Sequence, residues 1–423
     1  MFESMYHFGK EKFLRAREGT SSLALLGHAV AILMGLYVFL NPFPHMTAIK
    51  QICFYLSLFL VCLLLIFKKI DFSFRTPLLI PFCLFTCWVF YGLFFAVDKG
   101  NSIHDFHAHL LRYIVLYFIL VNVFNSRKRF MALSRIIIAS ATLYSVLGIF
   151  YFYFILGNNW ATRFSYGASK GLLGYEMSGN SFYVLVIFSI LLTLSFLKKG
   201  EGRQNLALVF CCIPQIAIFF LIQSRGAYVA LFFSLGVFLW RYKKILWAVL
   251  ILLIVIIAIS PIKNRFTIDY LIHADRIKVM FLTLEIVQDY PVIGIGFGNR
   301  TYGEKIDLKV YNNRVPSQYK QTKRIIVGSP HNMLLNILVR TGYLGLVLFL
   351  SILFVFSWMC WKCARDGGDD FARKWGLCMG SAFLALFISG MFDQMFHHFM
   401  EIILYTMLSM GTIIWRINKE LSS

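Results

Sequence analysis

Runs of about twenty apolar residues recur from one end of this chain to the other, and nothing else limits its fold so strongly. At 1.5 Å per residue, about 20 helical residues cross a hydrocarbon core of roughly 30 Å. In lipid only helices and closed barrels satisfy their own backbone groups. A barrel would show alternating segments of about ten residues, and these runs do not alternate. Twelve spans are predicted, over 21–40, 48–67, 77–97, 109–124, 130–156, 179–197, 205–223, 226–241, 243–260, 333–358, 374–391 and 396–415. The expected fold is an all-α polytopic membrane protein. Its 59% hydrophobic and 14% charged residues exclude an ordinary soluble domain.

The net charge of +21 suggests nucleic acid until the basic residues are placed. Alternate connections carry Lys68, Lys69 and Arg75, then Arg127 to Arg129, Lys198 to Arg203, Arg241 to Lys244, and Lys362 to Lys374. The positive-inside rule assigns these to the cytoplasm, together with the basic amino terminus and Arg416 and Lys419 at the other end. The opposite connections, 41–47, 98–108, 157–179 and 392–396, are poor in Lys and Arg. No nucleic-acid partner is expected. The amino terminus leads into a full-length span, so no cleavable signal peptide is expected. The nine cysteines lie in or at the ends of apolar runs, which argues against a disulfide framework, and Cys360-x-x-Cys363 reads as structural.

One polar segment, 261–330, interrupts the single membrane domain of residues 1–423. It falls between the ninth and tenth spans on the outer side, the periplasm in a bacterium. Its eleven Lys and Arg against six Asp and Glu are not explained by topology, since long loops escape the charge rule. Ile277, Met280, Phe281, Leu284 and Val287 predict an amphipathic helix over 275–289, with Asp275 capping it and Arg276 in its first turn. Gly294, Gly296 and Gly298 follow Pro291; without a βαβ unit they indicate a tight turn or close backbone approach.

Three outer features carry candidate chemistry. Arg225, in Gln223-Ser224-Arg225-Gly226, is costly at the interface unless it snorkels, pairs or binds an anion, and its planar fork suits phosphate. A plainer reading makes Gly226 a hinge. Arg276 stands at a helix start, where anions are favoured, with Arg265 as a further cation. His331, at the mouth of the tenth span, suits general acid or base chemistry, or merely caps the helix. His104-Asp105-x-His107-x-His109 offers metal-ligand types, but a short loop would not turn all three imidazoles inward; Asp393 with His397 and His398 is weaker. Arg112 and Arg135 read as ion-pair partners or snorkelling side chains.

Ser224-Arg225-Gly226-Ala227, Asp275-Arg276, Pro291-x-x-Gly294-x-Gly296, and His331-Asn332 followed by nine residues, Gly342, two residues and Gly345 form a set. By these motifs, which span about 180–345, the chain resembles the O-antigen ligase family. That family sits in a group with O-antigen polymerases and protein O-oligosaccharyltransferases. The resemblance implies a twelve-helix inner-membrane glycosyltransferase acting at the periplasmic face without metal or other cofactor. The donor would be a glycan on undecaprenyl diphosphate, and the acceptor a sugar hydroxyl of lipid A–core oligosaccharide. It assigns His331 the catalytic role and Arg225 and Arg276 the donor diphosphate, with Arg265 the alternative second cation. Asn332, Gly342 and Gly345 would shape the site. A transporter or flippase is the rival from another class, but no internal repeat appears and the functional-looking charges sit at one face and in one insertion.

Overall fold

The computed structural model describes residues 26–67, 72–160, 162–164, 179–198, 200–240, 243–244, 247, 251, 275–321, 328–393 and 396–422. Among these no strand occurs. The long helices are α1 (Leu26–Phe39), α2 (Thr47–Ile66), α3 (Leu79–Gly92), α4 (Lys99–Val123), α5 (Arg127–Ile155), α6 (Gly179–Phe196), α7 (Gly202–Leu221), α8 (Arg225–Phe238), α9 (Asp275–Asp289), α10 (Met333–Asp366), α11 (Asp370–Gly390) and α12 (His398–Ser422). Seven of them are long and apolar enough to cross a membrane, and four shorter apolar helices stand beside them. The protein is thus an all-α polytopic membrane protein. The predicted ninth span and Arg265 lie, but for four residues of the span, outside the described residues.

α12 is the hub. Of its apolar window 89% is buried, against 28% for α2 and 22% for α7 at the periphery. Outward side chains such as Ile80, Phe210 and Phe354 are more than half exposed, as lipid-facing residues must be. Some buried hydroxyls are satisfied within their helices and others between them: Ser409 donates to Tyr405 O (2.7 Å), and Tyr117 and Thr412 bond across α4 and α12 (2.9 Å). Basic residues of the predicted inner connections meet at one end. There Arg127 pairs with Asp369 (2.6 Å), Arg416 donates to Ser73 O (2.8 Å), and Lys374 donates to Leu197 O (3.2 Å).

Two differences from the sequence reading concern the opposite end. Residues 99–108, expected as a loop, are the first turns of α4, capped by Asp98, which accepts from Asn101 N (3.0 Å). Their polar side chains fit a helix because the 298–300 turn covers them, Asn299 N donating to Asp105 (2.6 Å) and Arg300 N to Asn101 (3.0 Å). α9 has the expected bounds, but the side chain of Asp275 is not among those described. Its buried stripe is Val279, Leu282, Thr283, Ile286 and Val287, leaving Met280 exposed. Leu282, Ile286 and Val287 build a small core with Tyr302, Tyr311 and the Leu338–Val339 turn of α10, and Thr283 binds the Tyr302 hydroxyl (2.9 Å). Phe281 is instead covered by Tyr319, stacked 4.2 Å away.

α10 is broken at Gly342 (φ 71°, ψ −176°). A break inside a membrane helix frees carbonyls and amides that lipid cannot satisfy. The 291–296 segment satisfies them. Ile295 N donates to Val339 O (2.8 Å) and Gly296 N to Arg340 O (3.2 Å), while Tyr343 N donates to Pro291 O (2.9 Å). The Trp88 indole takes Thr341 O (2.9 Å). Gly294 (φ 75°) must lack a side chain, because a Cβ there would strike the backbone of Arg340 and Thr341.

Candidate functional site

His331 and Arg225 begin two helices that start at the same end of the bundle. Asn332 caps α10, accepting from Leu335 N (3.0 Å), and donates to Met391 O (3.2 Å) at the end of α11. That bond holds His331 over the 391–393 turn, where its Nδ1 lies 3.9 Å from Asp393. The distance suits an ion pair and is too long for a hydrogen bond. α8 packs along α11, and its Gly226 lies against Tyr183 and Phe392. Arg276 is exposed on the first turn of α9.

The non-glycine residues with positive φ among those described are Gln223 (φ 48°) and His331 (φ 50°). One leads into Arg225; the other is the candidate base. Such conformations cost about 1–3 kcal/mol each and cluster at functional sites. Gly342 and Gly345 are not in the site itself. Gly342 allows α10 to break, and Gly345 leaves room for Thr341 of the same helix and for Trp88 of α3.

Beyond the 391–398 connection lies a cavity of about 710 Å³ between α1, α2, α4 and α12. Sequence reasoning treated its residues as two separate histidine groups. The structure takes His109 from the first and His398 from the second and adds buried Glu401, their ligand atoms lying within 4.8 Å of one another. Two imidazoles and a carboxylate suit zinc in type. These groups are already engaged: His109 Nδ1 donates to Glu401 (2.7 Å), and His398 Nδ1 is bonded to the Tyr113 hydroxyl (2.8 Å). His104 and His107 do not join them. Arg340, missed as a structural centre, is fully buried, donates to Phe297 O, and lies between the Phe297 and Phe396 rings at 4.1 and 5.3 Å. Asp393 carried only a weak metal reading in the sequence, and no local signal ties it to His331.

His397, at the mouth of α12, is pulled down to about 4 by burial, with His109 adding to that and Asp393 opposing it. It therefore stays neutral at physiological pH. An unfolded histidine takes its proton near 6.5, so between about 6.5 and 4 the unfolded chain binds more protons and stability falls as pH falls. His397→Gln is expected to flatten that part of a thermal-stability profile against pH. An unchanged slope would refute the assignment.

Helices of membrane length and a broken helix with an inserted loop define a polytopic membrane protein, in which His331 and Arg225 stand at helix starts at one end of the bundle. Residues 207–350, from α7 to the second half of α10, match the family model of the O-antigen ligases. The match covers about a third of the chain; it supports a place in the superfamily of O-antigen ligases and polymerases and suggests glycosyltransferase-like activity. No curated protein matches it.

Proposed function

We propose that the protein transfers a glycan from undecaprenyl diphosphate to a sugar hydroxyl of a lipid A–core acceptor at the periplasmic face of the inner membrane. The observation that carries this reading is His331 facing Asp393 at 3.9 Å, with Arg225 opening the helix whose Gly226 lies against Phe392. His331 takes the acceptor hydroxyl proton, and the hydroxyl oxygen bonds to the anomeric carbon from the face opposite the leaving group. The bond from that carbon to the diphosphate oxygen breaks, and undecaprenyl diphosphate departs with the electron pair. Arg225 and Arg276 bind the diphosphate and stabilise the charge that grows on it. Residues 261–330 act as a lid inserted into one membrane domain, with both chain termini cytoplasmic.

Reconstitution with a defined undecaprenyl-diphosphate glycan tests this against three acceptors: core lipid, a second carrier-linked glycan, and a Ser/Thr-containing protein. Transfer to core lipid is expected. Transfer only to one of the others would make the protein a polymerase or a protein-glycosylating enzyme, and glycan-lipid translocation without transfer would make it a transporter. Arg225→Ala is expected to lower kcat/KM about a hundredfold, the loss of roughly 3 kcal/mol of transition-state stabilisation.

A further inference from the structure

We propose that the 710 Å³ cavity beside the site binds a phosphate-bearing sugar. The inference rests on the transferase reading above, but its ligand is separate from the donor diphosphate. The cavity's walls carry Lys50, Arg112 and Arg300 from three different elements against one carboxylate, Asp105. That carboxylate is spent: its oxygens accept from His104 Nδ1 (2.8 Å) and Asn299 N (2.6 Å). Glu401 behind it is likewise held by His109. Neither Arg112 nor Arg300 has a carboxylate partner among the described residues.

Arg112 is the telling residue. It is half-buried at the start of a membrane-spanning stretch, over the Phe54 ring at 5.0 Å, and its Nε has no hydrogen-bond acceptor among the described residues. A buried donor left unmet costs about 1–3 kcal/mol, and more when charged. An anion entering the cavity supplies the counter-charge that the protein does not. Multiple cations favour a phosphate, which carries up to two charges, over a carboxylate. The rest of the lining suits a sugar: the carboxamides of Asn41 and Asn299 have buried oxygens without a donor, and Phe396 and Phe399 offer rings. The volume lies in the range of small-molecule sites, about 300–1,000 Å³. His397 lines the cavity four residues along the chain from Asp393, which faces His331 at 3.9 Å.

Two measurements on the full-length protein in nanodiscs test this. In the first, glucose 6-phosphate, glucose and inorganic phosphate are titrated by calorimetry or saturation-transfer NMR. Glucose 6-phosphate is expected to bind at least tenfold more tightly than the other two, and Arg112→Gln and Arg300→Gln each to weaken it about tenfold. Arg300 is exposed, so its variant does not depend on refolding of the bundle. In the second, transfer is followed with acceptor lipid prepared with and without its sugar phosphates. Arg300→Gln is expected to raise KM about tenfold for the phosphorylated acceptor and not for the stripped one. A rise confined to a phosphorylated donor glycan would support the site and assign the phosphate to the donor. Equal binding of glucose and glucose 6-phosphate, equal binding of inorganic phosphate, or variants that change neither binding nor KM would overturn it. Selective sugar-phosphate binding without transfer to any acceptor would instead sink the transferase reading and leave the site standing.

Discussion

His331→Ala is expected to lower kcat by about a hundred- to ten-thousandfold, the range for removing a positioned general base, with little change in KM. On the proposed mechanism, His331 takes a proton only as the acceptor oxygen attacks, so its loss falls on the transition state. The left-handed backbone at this position (φ 50°) complicates alanine, which disfavours it by roughly 1–2 kcal/mol. Asparagine tolerates that conformation, and neither substitution touches the Asn332 cap. His331→Asn is therefore expected to insert and melt like the unmodified protein yet be as inactive as His331→Ala. Asp393→Asn should cost about tenfold, since Asp393 orients the imidazole without receiving the proton. A well-inserted His331→Ala enzyme working at the normal rate would end the assignment.

The membrane helices were legible because length and hydropathy act locally. Eleven of the predicted spans have a helix in place, and α9 has the expected bounds. Which face of α9 is buried was not legible. Its apolar residues run most of the way round, and partners in α10 and the short helix Leu308–Arg314 chose the Val279–Ile286 stripe over Met280. Residues 99–108 were misread for the same reason: polar turns become helix when a distant loop covers them. In the site, Arg225 and His331 could be picked out by position and motif. Asp393, Arg340 and Arg112 could not, because their roles exist only through contacts with residues far away in the chain. The glycines signalled a close backbone approach, but only the fold identifies the backbone approached.

Gly342→Ala is expected to be the most damaging single substitution to the fold. At φ 71° and ψ −176° the backbone lies in a region essentially reserved for glycine, where other residues pay about 1–3 kcal/mol. The added Cβ would overlap Val292 O and sit 2.7 Å from Pro291 O, and both are backbone atoms that cannot swing aside. Relief requires the 291–296 segment to lift off α10. The carbonyls of Val339 and Arg340 and the amide of Tyr343 would then lose their partners inside the bundle, at roughly 1–3 kcal/mol for each group left unmet. The total is on the order of 5 kcal/mol, comparable to the whole stability of a small domain. Gly345→Ala makes the contrast. Its new methyl would overlap Cβ of Thr341 in the same helix, which side-chain rotation cannot move, so α10 must shift locally at about 1–3 kcal/mol while the 291–296 segment stays in place. The two are separated by melting in detergent and by limited proteolysis across 291–300. Gly342→Ala should melt far lower and be cut there, and Gly345→Ala should resist cutting. If Gly342→Ala melts with the unmodified protein and remains uncut, then α10 can close without its break, and the loop is not what holds the helix open.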